Sequence, residues 1–188
     1  SGLDVRSHAL NRIENNVLEL RLGNRSIQQA RANAGAHYGL PEPFYRLWLD
    51  ETMNYSSAWF GPAGDLPMPL AQWAKVDRAL NQAGVCGGRR LLEIGCGWGA
   101  LAERAARDFG ATVTGVTLST EQLAWGQDRM RQAGVADRVD LRLQDYRDIA
   151  DGPYDAIVSI EMVEAVGREY WPTYFNAVSR LLRPGGRA

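Results

Sequence analysis

The segment Leu91-Leu92-Glu93-Ile94-Gly95-Cys96-Gly97-Trp98-Gly99 narrows the folds open to this chain more than any other. A short apolar run that ends in three alternate glycines reads as a buried strand entering a tight turn. Residues 99–109 follow with Leu101, Ala102, Ala105 and Ala106 at helical spacing, which predicts a helix with one apolar face. A buried strand, a glycine turn and a helix form the opening unit of an open parallel sheet. In such sheets the ligand crevice lies at the carboxyl ends of the strands, where this turn sits.

The rest of the chain supports that reading. Residues 111–118 are rich in β-branched types and predict a second strand. Ser119 with Gln122 three positions on is a capping-box signature for the next helix. Residues 138–143 and 154–160 predict a third and a fourth strand. Residues 170–182 predict a helix closed by Pro184-Gly185-Gly186. Strands alternating with helices at this spacing imply a parallel sheet with right-handed crossovers. The sequence stops at Ala188, where a fifth strand is expected to begin. The expectation is therefore an α/β three-layer sandwich truncated after its fourth strand and the helix that follows, with one edge of that strand uncovered. Residues 1–75 differ in character. Leu10, Ile13, Val17, Leu18 and Leu20 to Leu22 form a near-helical stripe, and residues 41–69 hold five prolines among Tyr45, Trp48, Tyr55, Trp59 and Phe60. This divides the chain into a helical and loop region, 1–75, expected to cover the active site, and a sheet-based core, 76–188. A short helix is expected at 43–49.

Composition removes several functional classes. The 188 residues carry a net charge of −1, so no overall basic field points to nucleic acid. No apolar run approaches the roughly 20 residues of a membrane-spanning helix, so any membrane contact is expected to be peripheral. The candidate for that contact is the N-terminal stripe, with Arg on its flanks; ordinary packing of the stripe on the domain is the alternative. His8 and His37 stand alone, and no metal-ligand spacing is visible. The two cysteines, Cys86 and Cys96, fit a reducing cytoplasmic setting, because a disulfide at Cys96 would block the glycine turn.

Two ligands compete for that turn. Gly95-x-Gly97-x-x-Ala100 satisfies the relaxed dinucleotide fingerprint, which alone is weak. A dinucleotide site expects an acid about 20 residues on, at the end of the second strand; Val116-Thr117-Leu118-Ser119 offers none. The acid is instead Glu93, two residues before the first glycine. Acid-x-Gly-x-Gly-x-Gly is the form that a Rossmann-like methyltransferase uses for S-adenosyl-L-methionine (SAM). A turn that merely packs helix on strand is the third reading. On the SAM reading, Glu93, Gly95, Cys96, Gly97 and Gly99 form the loop, and Thr117, Leu118 and Gln122 face the ribose. Asp145 and Tyr146 receive the adenine, and Ile160-Glu161, at the end of the fourth strand, reaches the reaction side. For Asp145 a turn or cap role is the competing reading.

Further segments resemble the cyclopropane-fatty-acid synthases, including the mycolic acid cyclopropane synthases, from about residue 37 to residue 186. They are His37-Tyr38, Phe44 to Asp50, Thr52-Met53-x-Tyr55-Ser56, the glycine segment, Val113 to Leu123, Val158 to Met162 with Glu164, and Tyr174-Phe175 with Leu181 to Gly186. The resemblance implies a SAM-dependent methyltransferase acting on the double bond of an unsaturated phospholipid or fatty acyl chain. A carbocation forms, and a bicarbonate in the active site takes a proton as the ring closes. Relatives that give methyl or methylene products, or that methylate amines, keep a small-molecule N- or C-methyltransferase open, as well as a non-catalytic SAM-binding module. By the same resemblance Tyr55 and Ser56 join the SAM site, and Glu164 and Ser57 are the catalytic candidates. Glu164 falls on an acid that helps hold the bicarbonate, and Ser57 stands where many members have a Cys whose backbone contacts it. Gly39 and Ala165 depart from the Asp and His common in the family. The implied setting is cytoplasmic and peripheral at the inner membrane face, with a homo-oligomer left open.

Overall fold

The computed structural model describes residues 40, 42–62 and 64–188. The N-terminal stripe, His8, His37 and Gly39 lie outside the described residues. The sheet has five strands, all parallel: β1 (Arg90–Ile94), β2 (Thr112–Thr117), β3 (Val139–Leu143), β4 (Tyr154–Val158) and β5 (Leu182–Arg187). Their order is β3-β2-β1-β4-β5. The chain moves outward one way from β1, then returns to place β4 on the other side of it. This reversal opens a crevice at the carboxyl ends of β1 and β4.

Both faces of the sheet are covered, so its inner strands are apolar on both sides. Along β1, Leu91 packs into one cluster and Leu92 and Ile94 into the other. The first cluster is closed by α2 (Met68–Gln82), α3 (Ala100–Arg107) and α4 (Thr120–Gln132), through Val76, Leu80, Ala102, Ala105 and Met130. The second is closed by α5 (Val163–Val166) and α6 (Trp171–Leu181), through Val166, Tyr174 and Leu181. A shorter helix, α1 (Glu42–Tyr45), precedes them all. It ends four residues short of the end expected at 49, and turns follow it. Its Tyr45 joins Met53 and Trp98 in a small third cluster. Helix α2 runs unbroken across positions 75 and 76.

The uncovered edge expected on the fourth strand is corrected. Residues 182–187 form β5 and cover the open edge of β4, with Tyr154 opposite Leu182 and Ala156 opposite Arg187. Pro184-Gly185-Gly186, expected to end the helix, lies inside this strand. Pro184 is tolerated because β5 is an edge strand with a register shift. At Gly186 a Cβ would fall 2.9 Å from the Asp155 carbonyl oxygen, so the strand can approach β4 only without a side chain there. The fourth strand is also shorter than expected. Ser159 leaves the ladder, and its hydroxyl donates to the Ile94 carbonyl (3.0 Å) instead.

Candidate functional site

The switch point opens into a cleft of about 450 Å³. Its walls come from the ends of four strands and from a strap over residues 53–56. Of the residues singled out from sequence, Tyr55, Ser56, Glu93, Gly95, Cys96, Gly97, Thr117, Leu118, Gln122, Asp145, Tyr146, Ile160 and Glu164 line it. Gly99 and Ser57 do not.

The glycine turn divides its work. Gly97 has φ +50° and open space where a Cβ would stand, so its main chain faces the cleft bare. Gly99, at φ +83°, precedes α3, and a Cβ there would come 3.2 Å from Met130 Cε and 3.4 Å from Gly126 Cα. Gly99 is thus a packing glycine that lets α4 lie against the turn. The Cys96 side chain belongs to the core cluster, where burial raises its thiol pKa. What it presents to the cleft is main chain rather than a reactive thiolate. Glu93 is 6% exposed, and its Oε2 is buried with no hydrogen-bond partner. Burial raises its pKa well above the usual carboxylate range, against the Ala102 N–H, Arg129 and Lys75. A buried carboxyl oxygen without a partner at a cleft wall is a place for a ligand donor.

At the end of β2 the expected cap forms: Ser119 Oγ accepts from the Gln122 N–H (3.2 Å). The Gln122 side-chain Oε1 accepts from the Thr117 hydroxyl (2.8 Å), and the Ser119 N–H donates to Thr117 Oγ1 (3.2 Å). Thr117 and Gln122 are therefore locked to each other at the cleft wall. Asp145 ends β3 and is 2% exposed. It caps the 3-10 turn Tyr146–Asp148, its Oδ1 accepting from the Arg147 N–H (2.9 Å) and Nε (2.8 Å) and its Oδ2 from Arg147 Nη2 (2.7 Å). The competing cap role is thus filled, with both oxygens held at fixed positions. The Tyr146 ring stands edge-on to Tyr174, at 5.3 Å between centroids.

The strap ties two further charged residues, Glu161 and Lys75, to the cleft. The Ser57 N–H and hydroxyl both donate to Glu161 Oε1, at 2.8 and 2.7 Å. Glu161 lines the cleft from just beyond β4 and has φ +52°, a left-handed conformation that non-glycine residues rarely adopt. Glu161 stands where the sequence put it, with Ile160 at the carboxyl end of a buried strand. Lys75 on α2 donates to Ser56 Oγ and Gln72 Oε1, both at 2.6 Å, and burial lowers its pKa to about 8, against the charges of Glu161, Asp50 and Glu93. No local signal marks Lys75, since its partners lie 16 or more residues away or on its own helix. Glu164, on α5, is exposed at the cleft rim. The strap is also tied to α4, where Arg129 Nη1 donates to the Thr52 carbonyl (2.8 Å) and its Nε pairs with Glu103.

Among the described residues no group of three or more His, Cys, Asp or Glu could hold a metal ion, and no helix is long and apolar enough to cross a membrane.

The sequence profile of the mycolic acid cyclopropane synthetase family matches residues 25–188. Tuberculostearic acid methyltransferase UfaA1 of Mycobacterium tuberculosis is 47% identical over 87% of this chain, which covers 39% of that protein. Cyclopropane-fatty-acyl-phospholipid synthase of Escherichia coli K12 is 40% identical over 80% of this chain, which covers 37% of that protein. Mycolic acid cyclopropane synthase CmaA1, in a crystal structure with S-adenosylhomocysteine and CTAB, superposes with a TM-score of 0.77 at 38% identity, over 81% of this chain and 53% of that one. The chain therefore spans about two-fifths of the length of these two sequence relatives and about half of the CmaA1 chain.

Proposed function

This chain belongs to the mycolic acid cyclopropane synthetase family, and we propose that it forms the SAM-binding half of a methyltransferase that alkylates the double bond of unsaturated lipid acyl chains, to a cyclopropane, methyl or methylene product. The observation that carries the reading is the cleft itself. At the switch point of the sheet, bare main chain at Gly97 stands beside a buried carboxyl oxygen of Glu93 that lacks a partner.

These residues fit SAM. Gly95, Cys96 and Gly97 would present main chain to its amino-acid end, together with Glu93, Tyr55 and Ser56. Thr117, Leu118 and Gln122 would take the ribose, Asp145 and Tyr146 the adenine, and Ile160 would face the reaction side. When bound, the cofactor supplies an electrophilic methyl group on a sulfonium. An alkene is a weak nucleophile, so the protein's part is to hold the chain close, exclude water and face the developing cation with negative charge. Glu161 is placed for that last task. Its Oε1 is fixed by two hydrogen bonds from Ser57, which leaves Oε2 outside both. The resemblance gives the Ser57 N–H to a bicarbonate; with that N–H engaged, Glu161 Oε2 is the protein's own acceptor for the proton lost from the alkylated chain. Glu164 adds a second carboxylate at the rim.

A lipid substrate calls for peripheral contact at the cytoplasmic membrane face, with residues 1–75 covering the site; a homo-oligomer is compatible with this. The test is calorimetric titration of the chain with SAM, with NAD as control, followed by transfer of labelled methyl from SAM to unsaturated phospholipid by the full-length protein. Saturable SAM binding without NAD binding, and label in the lipid extract, are expected. A folded full-length protein that binds no SAM would overturn the reading.

A further inference from the structure

Lys75 lies outside the cleft wall, yet it determines what the wall offers. Its ammonium carries three N–H donors and no acceptor. They go to Ser56 Oγ (2.6 Å), to Gln72 Oε1 (2.6 Å) and, at longer range, to Asn54 Oδ1 (3.5 Å). Each contact sets a direction further on. Because the Gln72 oxygen accepts, its amide nitrogen turns to donate to the Ser56 carbonyl (2.9 Å). Because the Asn54 oxygen accepts, its nitrogen donates to Thr52 Oγ1 (2.9 Å), and the Thr52 hydroxyl then donates to Asp50 Oδ1 (2.6 Å). The polarity runs one way, from the Lys75 cation to the Asp50 carboxylate. Every residue of the strap from Asp50 to Ser56 that carries a hydrogen-bonding group in this relay is held with its donor or acceptor sense fixed.

The consequence falls on Ser56, which lines the cleft. A hydroxyl that accepts from an ammonium has its own proton left to give. We propose that Lys75 is a positioning residue that turns the Ser56 hydroxyl into an obligate donor toward the cleft, selecting an anionic acceptor on the ligand. In SAM that acceptor is the carboxylate of the amino-acid end, so the inference rests on the SAM reading above.

The arrangement is sensitive to pH. Lys75 faces Glu161 beyond β4, Asp50 in the strap and Glu93 at the end of β1; their charges favour the ammonium, but burial outweighs them and its pKa falls to about 8. Below that pH the ammonium is present and Ser56 donates outward. Above it the neutral amine can accept the Ser56 proton, which turns the hydroxyl away from the ligand.

A double-mutant cycle in SAM affinity, read by calorimetry on the folded chain, tests this. Lys75→Met weakens SAM binding about tenfold, as expected for loss of a charge-assisted hydrogen bond. Ser56→Ala weakens it to a similar degree, and adding Lys75→Met to Ser56→Ala weakens it no further. Lys75→Arg keeps affinity within about threefold and loses the fall above pH 8 that the wild type shows; titration of the ligand's own amine is common to all variants and cancels in their ratio. Lys75→Met binding like the wild type, or costs that add in the double variant, overturns the proposal while leaving the SAM reading intact. Absence of SAM binding by the folded wild-type chain and the full-length protein overturns both.

Discussion

Replacing Gly97 and Gly99 separately by Ala should split the glycine turn into its two functions. Both residues have left-handed φ, +50° and +83°, where a Cβ costs about 1–2 kcal/mol. At Gly97 nothing lies within 4 Å of the added carbon, so the backbone term is the whole cost to stability. At Gly99 the new carbon comes 3.2 Å from Met130 Cε and 3.4 Å from Gly126 Cα. The Met tip can swing aside, but the Gly126 backbone requires α4 to shift by a few tenths of an ångström. That overpacking adds roughly 1–2 kcal/mol. A chain of this size loses about 2–4 °C of Tm per kcal/mol. Gly97→Ala should therefore melt about 2–8 °C lower and Gly99→Ala about 4–16 °C lower. Ligand binding should order the other way. The Gly97 methyl enters the cleft, and SAM affinity should fall by more than about tenfold. Gly99 lies behind the wall, and its variant should bind SAM within about threefold of wild type at a temperature where both are folded. Thermal melts followed by circular dichroism and SAM titrations measure both. Wild-type affinity in Gly97→Ala, or lost affinity in a Gly99→Ala protein as stable as Gly97→Ala, would refute the division of labour.

Glu161→Gln keeps an oxygen able to accept from Ser57 but removes the charge. Methyl transfer to lipid by the full-length protein should fall about 100-fold or more while SAM affinity stays within about threefold; unchanged turnover would remove Glu161 from the chemistry. Arg129→Met deletes the bond to the Thr52 carbonyl and one of the partners of Glu103, which is 7% exposed and keeps Arg107. It should cost about 2 kcal/mol, measured as a Tm lower by about 4–8 °C. On the acid side, the Arg142 guanidinium holds the Asp151 carboxyl below its usual range through bonds of 2.8 and 2.9 Å. A depressed folded pKa contributes stability that is present above the unfolded value and lost as pH falls through the folded one. Asp151→Asn should therefore lower Tm slightly at pH 7, and its difference from wild type should disappear as pH falls below the ordinary Asp range and through the lowered folded value; a difference that persists in strong acid would show that the pair acts by packing alone.

The strands from 90 to 158 and their helices were legible because each carries a local period or cap. Leu91 and Leu92 alternate between two cores, and Ser119 caps α4 through the Gln122 N–H. β5 was not legible. Pro184, Gly185 and Gly186 are local stop signals, and only the open edge of β4 makes a strand of them. Within the site, the residues found from sequence sit at strand ends, where a parallel sheet must place its crevice. Glu161 was legible only as the end of the fourth strand, not by its partner, and Lys75 was passed over because a charged residue on a helix carries no period. Their importance comes from partners 104 residues away in the case of Ser57 and Glu161, and 19 in the case of Ser56 and Lys75.

The sequence alone determined the first four strands of the sheet, the position of the crevice and the main-chain character of its floor, because backbone geometry follows from local residue types. Only the tertiary structure decided which polar groups point into the crevice and in which sense. The Gln122 side chain pairs with Thr117, Asp145 is claimed by Arg147, and Ser56 receives a hydrogen bond from Lys75. A side-chain hydrogen bond is set by competition among all partners within reach, and that competition exists only once distant segments have been brought together.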